Sequence, residues 1–156
     1  MTKLVSSRLA TPADVDTLAE LRFELFFELG SARESDKAAF VDACRSAYGA
    51  MFAAGHGAAW LAESQDGTAV ATATLLVFPR LPSPANSALA EGYVVGVFTR
   101  RAFRSRGIAT SLTSAAVEEA RRRGLARIRL HATEAGRRVY ASRGFRLRDD
   151  EMEIVL

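Results

Sequence analysis

The segment Arg104-Ser105-Arg106-Gly107-Ile108-Ala109-Thr110 places basic side chains, a glycine and a small residue at the head of an apolar-periodic run. Those residue types can hold an anion. The first turn of a helix leaves its N–H groups unpaired. Gly107 has no Cβ, so a ligand can approach the backbone closely. Each hydrogen bond to a charged group is worth about 1.5–3 kcal/mol, and the helix dipole adds roughly 0.3–1 kcal/mol. Several converging amides therefore outweigh the dipole, and they match a diphosphate better than a single carboxylate.

Other chemistry is sparsely represented. Cys44 is the one cysteine, so no disulfide forms within the chain. Its neighbours Phe40, Val41, Ala47 and Tyr48 place it on a helix face as a buried, inert thiol. His56 and His131 are the two histidines, and no metal-ligand spacing appears. Net charge is +3, with 21 Lys and Arg against 18 Asp and Glu, but the arginines cluster at 100–106 and 121–129. Such clustering attracts nucleic acid or a phosphorylated cofactor. Arg121, Arg122 and Arg123 are interleaved with Glu118 and Glu119, and Glu118 with Arg122 and Glu119 with Arg123 are expected as i,i+4 pairs, which reads as a solvated helix face. No groove-reading motif is present, so no nucleic-acid partner is expected.

The elements that must position these groups follow from periodicity. The 156 residues, 49% of them hydrophobic, suit a single domain over 1–156. Ser7 to Ala10 is extended. Thr11-Pro12-Ala13-Asp14 opens a helix carrying Val15, Leu18, Leu21, Leu25 and Leu29, stopped by Gly30. Ser35-Asp36 opens a second helix that ends by Gly55. Ala58–Glu63 and Ala69–Phe78 are strands, joined through Asp66-Gly67. An irregular loop follows from Pro79 to about Ala90. Gly92–Thr99 is a near-continuous apolar run, as in a central strand. The basic turn then leads into a long helix with Ile108, Leu112, Ala116 and Ala120 inward, closed by Gly124. Strand Ala126–His131, a short helix from Thr133 to Gly144, and strands Phe145–Arg148 and Glu151–Leu156 complete the chain. No secretory leader is read at the start, and no run reaches the roughly 20 apolar residues of a membrane span. A cytoplasmic setting without membrane attachment is the expectation.

Arg104-x-x-Gly107-x-Ala109 resembles the R/Q-x-x-G-x-G/A motif of the GNAT N-acetyltransferase superfamily. An apolar strand precedes it, and a long helix and a strand follow. The segment from Leu130 to Phe145, with Tyr140 shortly before Gly144-Phe145, is similar to the closing block of that family. The resemblance covers roughly Gly92 to Phe145. It implies an α/β (α+β) fold: a mixed, mostly antiparallel, twisted sheet of six to seven strands flanked by about four helices. It implies acetyl-CoA as acyl donor. Amides from Arg104 through Ser105, Arg106, Gly107, Ile108 and Ala109 to Thr110 would bind its diphosphate. Val97, Phe98 and Thr99 would pair with pantetheine like an added strand. Tyr140 would be the general acid for the departing thiolate, and Thr133 would contact the cofactor where many members have asparagine. Arg101 stands where proline is frequent. Dimers are common among similar proteins, so a homodimer is compatible.

The implied reaction sets one more demand. A lysine-like amine, pKa about 10.4, costs roughly 4.6 kcal/mol to deprotonate at pH 7, so a base or a water relay must assist. Glu91, beside the central strand, is the first candidate; Glu28, Glu24 and His131 follow. The acceptor is expected to be a primary amine of a small molecule or peptide, and the acidic residues near the first helix hint at a cationic one. The alternative is an acyl-CoA-binding sensor that keeps the cradle without turnover.

Overall fold

A computed structural model describes residues 5–156. The chain opens with strand β1 (Val5–Leu9) and helices α1 (Val15–Glu28) and α2 (Lys37–Ala54). Strands β2 (Gly57–Ser64), β3 (Ala69–Pro79) and β4 (Ala90–Thr99) follow, then helix α3 (Ile108–Arg122), strand β5 (Ile128–Leu130) and the short helix α4 (Arg137–Ala141). The sheet runs in chain order, β1 to β5. Its first three pairings are antiparallel and the β4–β5 pairing is parallel. This is the mixed, mostly antiparallel α/β fold that the element order implies.

Alternation along the strands feeds two cores, one on each sheet face. Trp60, Leu75 and Val94 pack with Phe103 and Leu112 beneath α3. Leu61 and Phe98 pack with Leu18, Leu21 and Tyr48 beneath α1 and α2. Cys44 is buried in the second core, where burial pushes its thiol pKa up. At the start of α1, Arg8 grips Asp14 with two bonds of 2.8 Å, and the Thr11 N–H donates to the same carboxylate at 2.7 Å. The β2–β3 turn is closed by Asp66, which accepts from the Thr68 N–H and the Ser64 hydroxyl.

Two expectations need correction. Among the described residues the sheet has five strands, because Phe145–Arg148 and Glu151–Leu156 are not strands. Arg148 turns its charge onto Asp150 two residues away, and Met152, Ile154, Val155 and Leu156 lie exposed. An alternating pattern becomes a strand only where a face exists to bury it. The second correction concerns α3. Glu118 pairs with Arg121 rather than Arg122, while Glu119 takes both Arg122 and Arg123. Arg123 also donates to the carbonyls of Gly55 and Gly57, at 2.8 and 3.0 Å, so it ties the end of α3 to the α2–β2 junction. No helix among the described residues is long and apolar enough to cross a membrane.

Candidate active site

The site begins where β4 parts from its neighbour. Gly92, Tyr93 and Val94 pair with Ile128, Arg129 and Leu130, and the pairing stops there. Beyond it, β4 carries one extra residue relative to β3: Thr74 faces Val95, but Thr72 faces Phe98. Gly96 lies within this bulge at φ +62°, a conformation that side chains disfavour. Beyond the bulge, Phe98 and Thr99 pair with Thr72 and Ala71 of β3 on one edge, and Val97, Phe98 and Thr99 have no β5 partner on the other. The Thr99 hydroxyl in this stretch is buried and has no hydrogen-bond partner. An extended ligand could add itself along that edge.

The basic turn follows directly. Phe103 anchors it in the α3 core, and its N–H bonds back to the Arg100 carbonyl at 2.9 Å. Arg101 starts this tight turn, so the residue in proline's usual place is accommodated. Ser105 and Gly107 then take left-handed conformations, φ 60° and 74°. A non-glycine residue there is uncommon and tends to mark a functional turn. Ser111 is the first residue of α3 bonded back, to the Gly107 carbonyl at 2.9 Å. The amides of Ile108, Ala109 and Thr110 precede it and lie in the unpaired first turn. No side chain caps that end of α3. A Cβ placed on Gly107 would meet nothing within 4 Å, so the mouth is open. Arg104 is aimed toward β4 and α1, donating to the Thr99 carbonyl at 2.8 Å and to Glu28 at 2.5 Å. Arg106 donates to the Ala102 carbonyl over the Phe103 ring.

Tyr140 lies on α4, against Phe145 at 6.0 Å between ring centres. Burial raises its phenol pKa above the usual 10 and keeps the proton on oxygen near neutral pH. It lines an open cleft of about 1020 Å³ together with Leu130, His131 and Ala132, the residues at which β5 leaves β4. The cradle residues Arg104–Thr110 do not line this cleft. The Thr133 hydroxyl accepts from the Gly136 N–H at 3.2 Å and so opens the turn into α4.

The acidic candidates are differently placed. Glu91 is 2% exposed, with Oε1 bound by Arg129 and Oε2 3.4 Å from Arg80. Both its oxygens are engaged, and taking a proton from an amine would mean breaking an ion pair. Glu24 is held by Arg100 through two bonds of 2.6 and 2.8 Å, and Glu28 by Arg104 and Arg101. His131 is exposed beside Tyr93. Sequence reasoning overlooked Arg22, whose guanidinium reaches the Gly96 bulge; a lone arginine in a helix rich in glutamate gave no signal.

The sequence profile of the Acetyltransferase (GNAT) family matches residues 16–145. The chain belongs to the GNAT acetyltransferase family. The solved structures agree with that membership. A predicted acetyltransferase from Clostridium acetobutylicum, solved with acetyl-CoA, superposes with TM-score 0.88 at 26% identity, covering 97% of this chain and 96% of that one. A GCN5-related N-acetyltransferase from Ralstonia eutropha JMP134 gives 0.84 at 28% identity, covering 98% and 99%. The glucosamine-6-phosphate N-acetyltransferase of Arabidopsis thaliana, at 14% identity and TM-score 0.75 over 98% and 99%, shares the fold. No curated protein matches the chain by sequence. GNAT acetyltransferases take their acyl group from acetyl-CoA, and the open amides at the head of this GNAT chain's α3 suit its diphosphate.

Proposed function

We propose that this GNAT protein moves the acetyl group of acetyl-CoA onto a primary amine of a small molecule or peptide by direct attack. The observation that carries the reading is the uncapped, open mouth of α3 lying next to the unpaired edge of β4. The amides of Gly107 to Thr110 hold the diphosphate, with those of Arg104, Ser105 and Arg106 leading into them. Pantetheine then lies along Val97–Thr99, running back toward the bulge, so the thioester comes to rest near Gly96. Thr133 shapes the turn beside the cofactor.

The amine nitrogen attacks the thioester carbon, the C–N bond forms and the C–S bond breaks. The thiolate leaves and takes the Tyr140 proton. The nitrogen releases its own proton through water, which restores the balance as the phenol is reprotonated. Glu91 locks β4 to β5 through Arg129 rather than meeting the amine. Holding amine, thioester and acid together removes the need for a covalent enzyme intermediate.

Pairing of Glu91, Glu24 and Glu28 with arginines favours one second reading, an acyl-CoA sensor without turnover. Release of free thiol from acetyl-CoA across an amine panel separates the two. Amine-dependent release, with acetylated product found by mass spectrometry, is expected. Tight cofactor binding with no release from any amine would replace the transferase by the sensor.

A further inference from the structure

Helix α1 carries four carboxylates and one cation. Each carboxylate has a cationic partner: Asp16 with Arg45, Glu20 with Lys37, Glu24 with Arg100 and Glu28 with Arg104. The acidity that hinted at a cationic acceptor is therefore already neutralised. The cation, Arg22, has no carboxylate partner among the described residues. It is half-buried and stacked over Phe26 at 5.1 Å, which orients the guanidinium without neutralising it. Its Nη1 lies 3.2 Å from where a Cβ on Gly96 would sit. The groups it acts on from α2, the Cys44 thiol and the Tyr48 phenol, are uncharged near neutral pH. On the same sheet face, the Thr72 hydroxyl is 1% exposed and has no partner.

We infer that the acceptor amine carries an anionic group, in the simplest case a carboxylate, which Arg22 holds beside the Gly96 bulge. This rests on the transferase reading, in which the thioester lies at that bulge. The anion must then sit only a few bonds from the attacking nitrogen, as it does in amino acids and aminoalkylphosphonates. A guanidinium receives either oxyanion through paired N–H donors. A polyamine or an aminoglycoside offers Arg22 only a like charge.

The test compares matched acceptors by thiol release from acetyl-CoA: proteinogenic amino acids, their carboxamides, the corresponding 1-aminoalkylphosphonates, and spermidine. Amino acids or phosphonates are expected to exceed their carboxamides by at least about 10-fold in kcat/KM, and the better of the two acids identifies the oxyanion. Arg22→Gln should erase that preference by raising KM for the acid, with KM for acetyl-CoA unchanged, and Arg22→Lys should restore part of it. Equal or better turnover of carboxamides or spermidine overturns the anionic acceptor and leaves the transferase standing. Arg22→Gln retaining the full preference removes Arg22 from recognition. Should that variant fail to fold, the ranking on the unaltered protein decides. Acetyl-CoA binding with no thiol release from any acceptor overturns the transferase reading and this inference with it.

Discussion

Gly107 does two jobs at one position: its left-handed backbone starts α3, and its missing side chain keeps the amide mouth open. Gly107→Glu imposes strain at φ 74° and sets a carboxylate at the proposed diphosphate site. Acetyl-CoA binding measured by calorimetry is expected to disappear, while the melting temperature shows that the chain still folds. Tyr140→Phe keeps the ring packing against Phe145 and removes the acidic proton. Turnover is expected to fall roughly 10²–10⁴-fold with little change in acetyl-CoA affinity. Since burial raises the phenol pKa, wild-type kcat should hold on the alkaline side until the pH passes 10. Measured kcat that is unchanged in the Phe variant would remove Tyr140 from the chemistry. The cradle was legible because glycine and small residues at a strand–helix junction report local backbone geometry. The partners of Glu91 were not, because Arg80 and Arg129 reach it only through strand pairing across the sheet.

At the scale of elements, α3 is the rigid mount of the cradle. Leu112 is wholly buried one turn into it, among Trp60, Phe103 and Ile108. Leu112→Ala should cost about 2–5 kcal/mol, read as a lower midpoint in denaturant unfolding; a midpoint shift near zero would mean that α3 is not fixed by this core. Helices α1 to α3 and strands β2 to β4 could be read from periodicity, because each has a face that its neighbours cover. The last twelve residues carry a similar alternation, yet the edge of β5 gives them no ladder in this structure. Periodicity states what a strand would bury. It does not state whether a second surface is there to receive it.

For the whole molecule, charge pairs stitch distant segments together. Asp14 is held well below the usual carboxylate range by Arg8, and Glu119 is lowered to about 2, first by Arg122 and then also by Arg123. A lowered carboxyl pKa stabilises the folded state above its unfolded value and ceases to do so as pH falls through the folded one. Stability should therefore be steady above pH about 4.5 and decline toward pH 2. Glu119→Gln should flatten part of that decline and cost only about 1 kcal/mol at neutral pH, since Arg122 is largely exposed. An acid unfolding profile identical to wild type would contradict this. Such long-range pairing is a property of the folded assembly, and that is why Arg22's lack of a carboxylate partner among the described residues could not be seen in the sequence.

The most direct measurement is a nuclear magnetic resonance titration of the protein with coenzyme A, following backbone amides. The largest shifts are expected at Gly107, Ile108, Ala109 and Thr110, followed by Val97 to Thr99 along the open edge of β4. If those amides stayed still while the shifts gathered elsewhere, for example around the cleft lined by β5 and α4, the diphosphate would not be held at the head of α3.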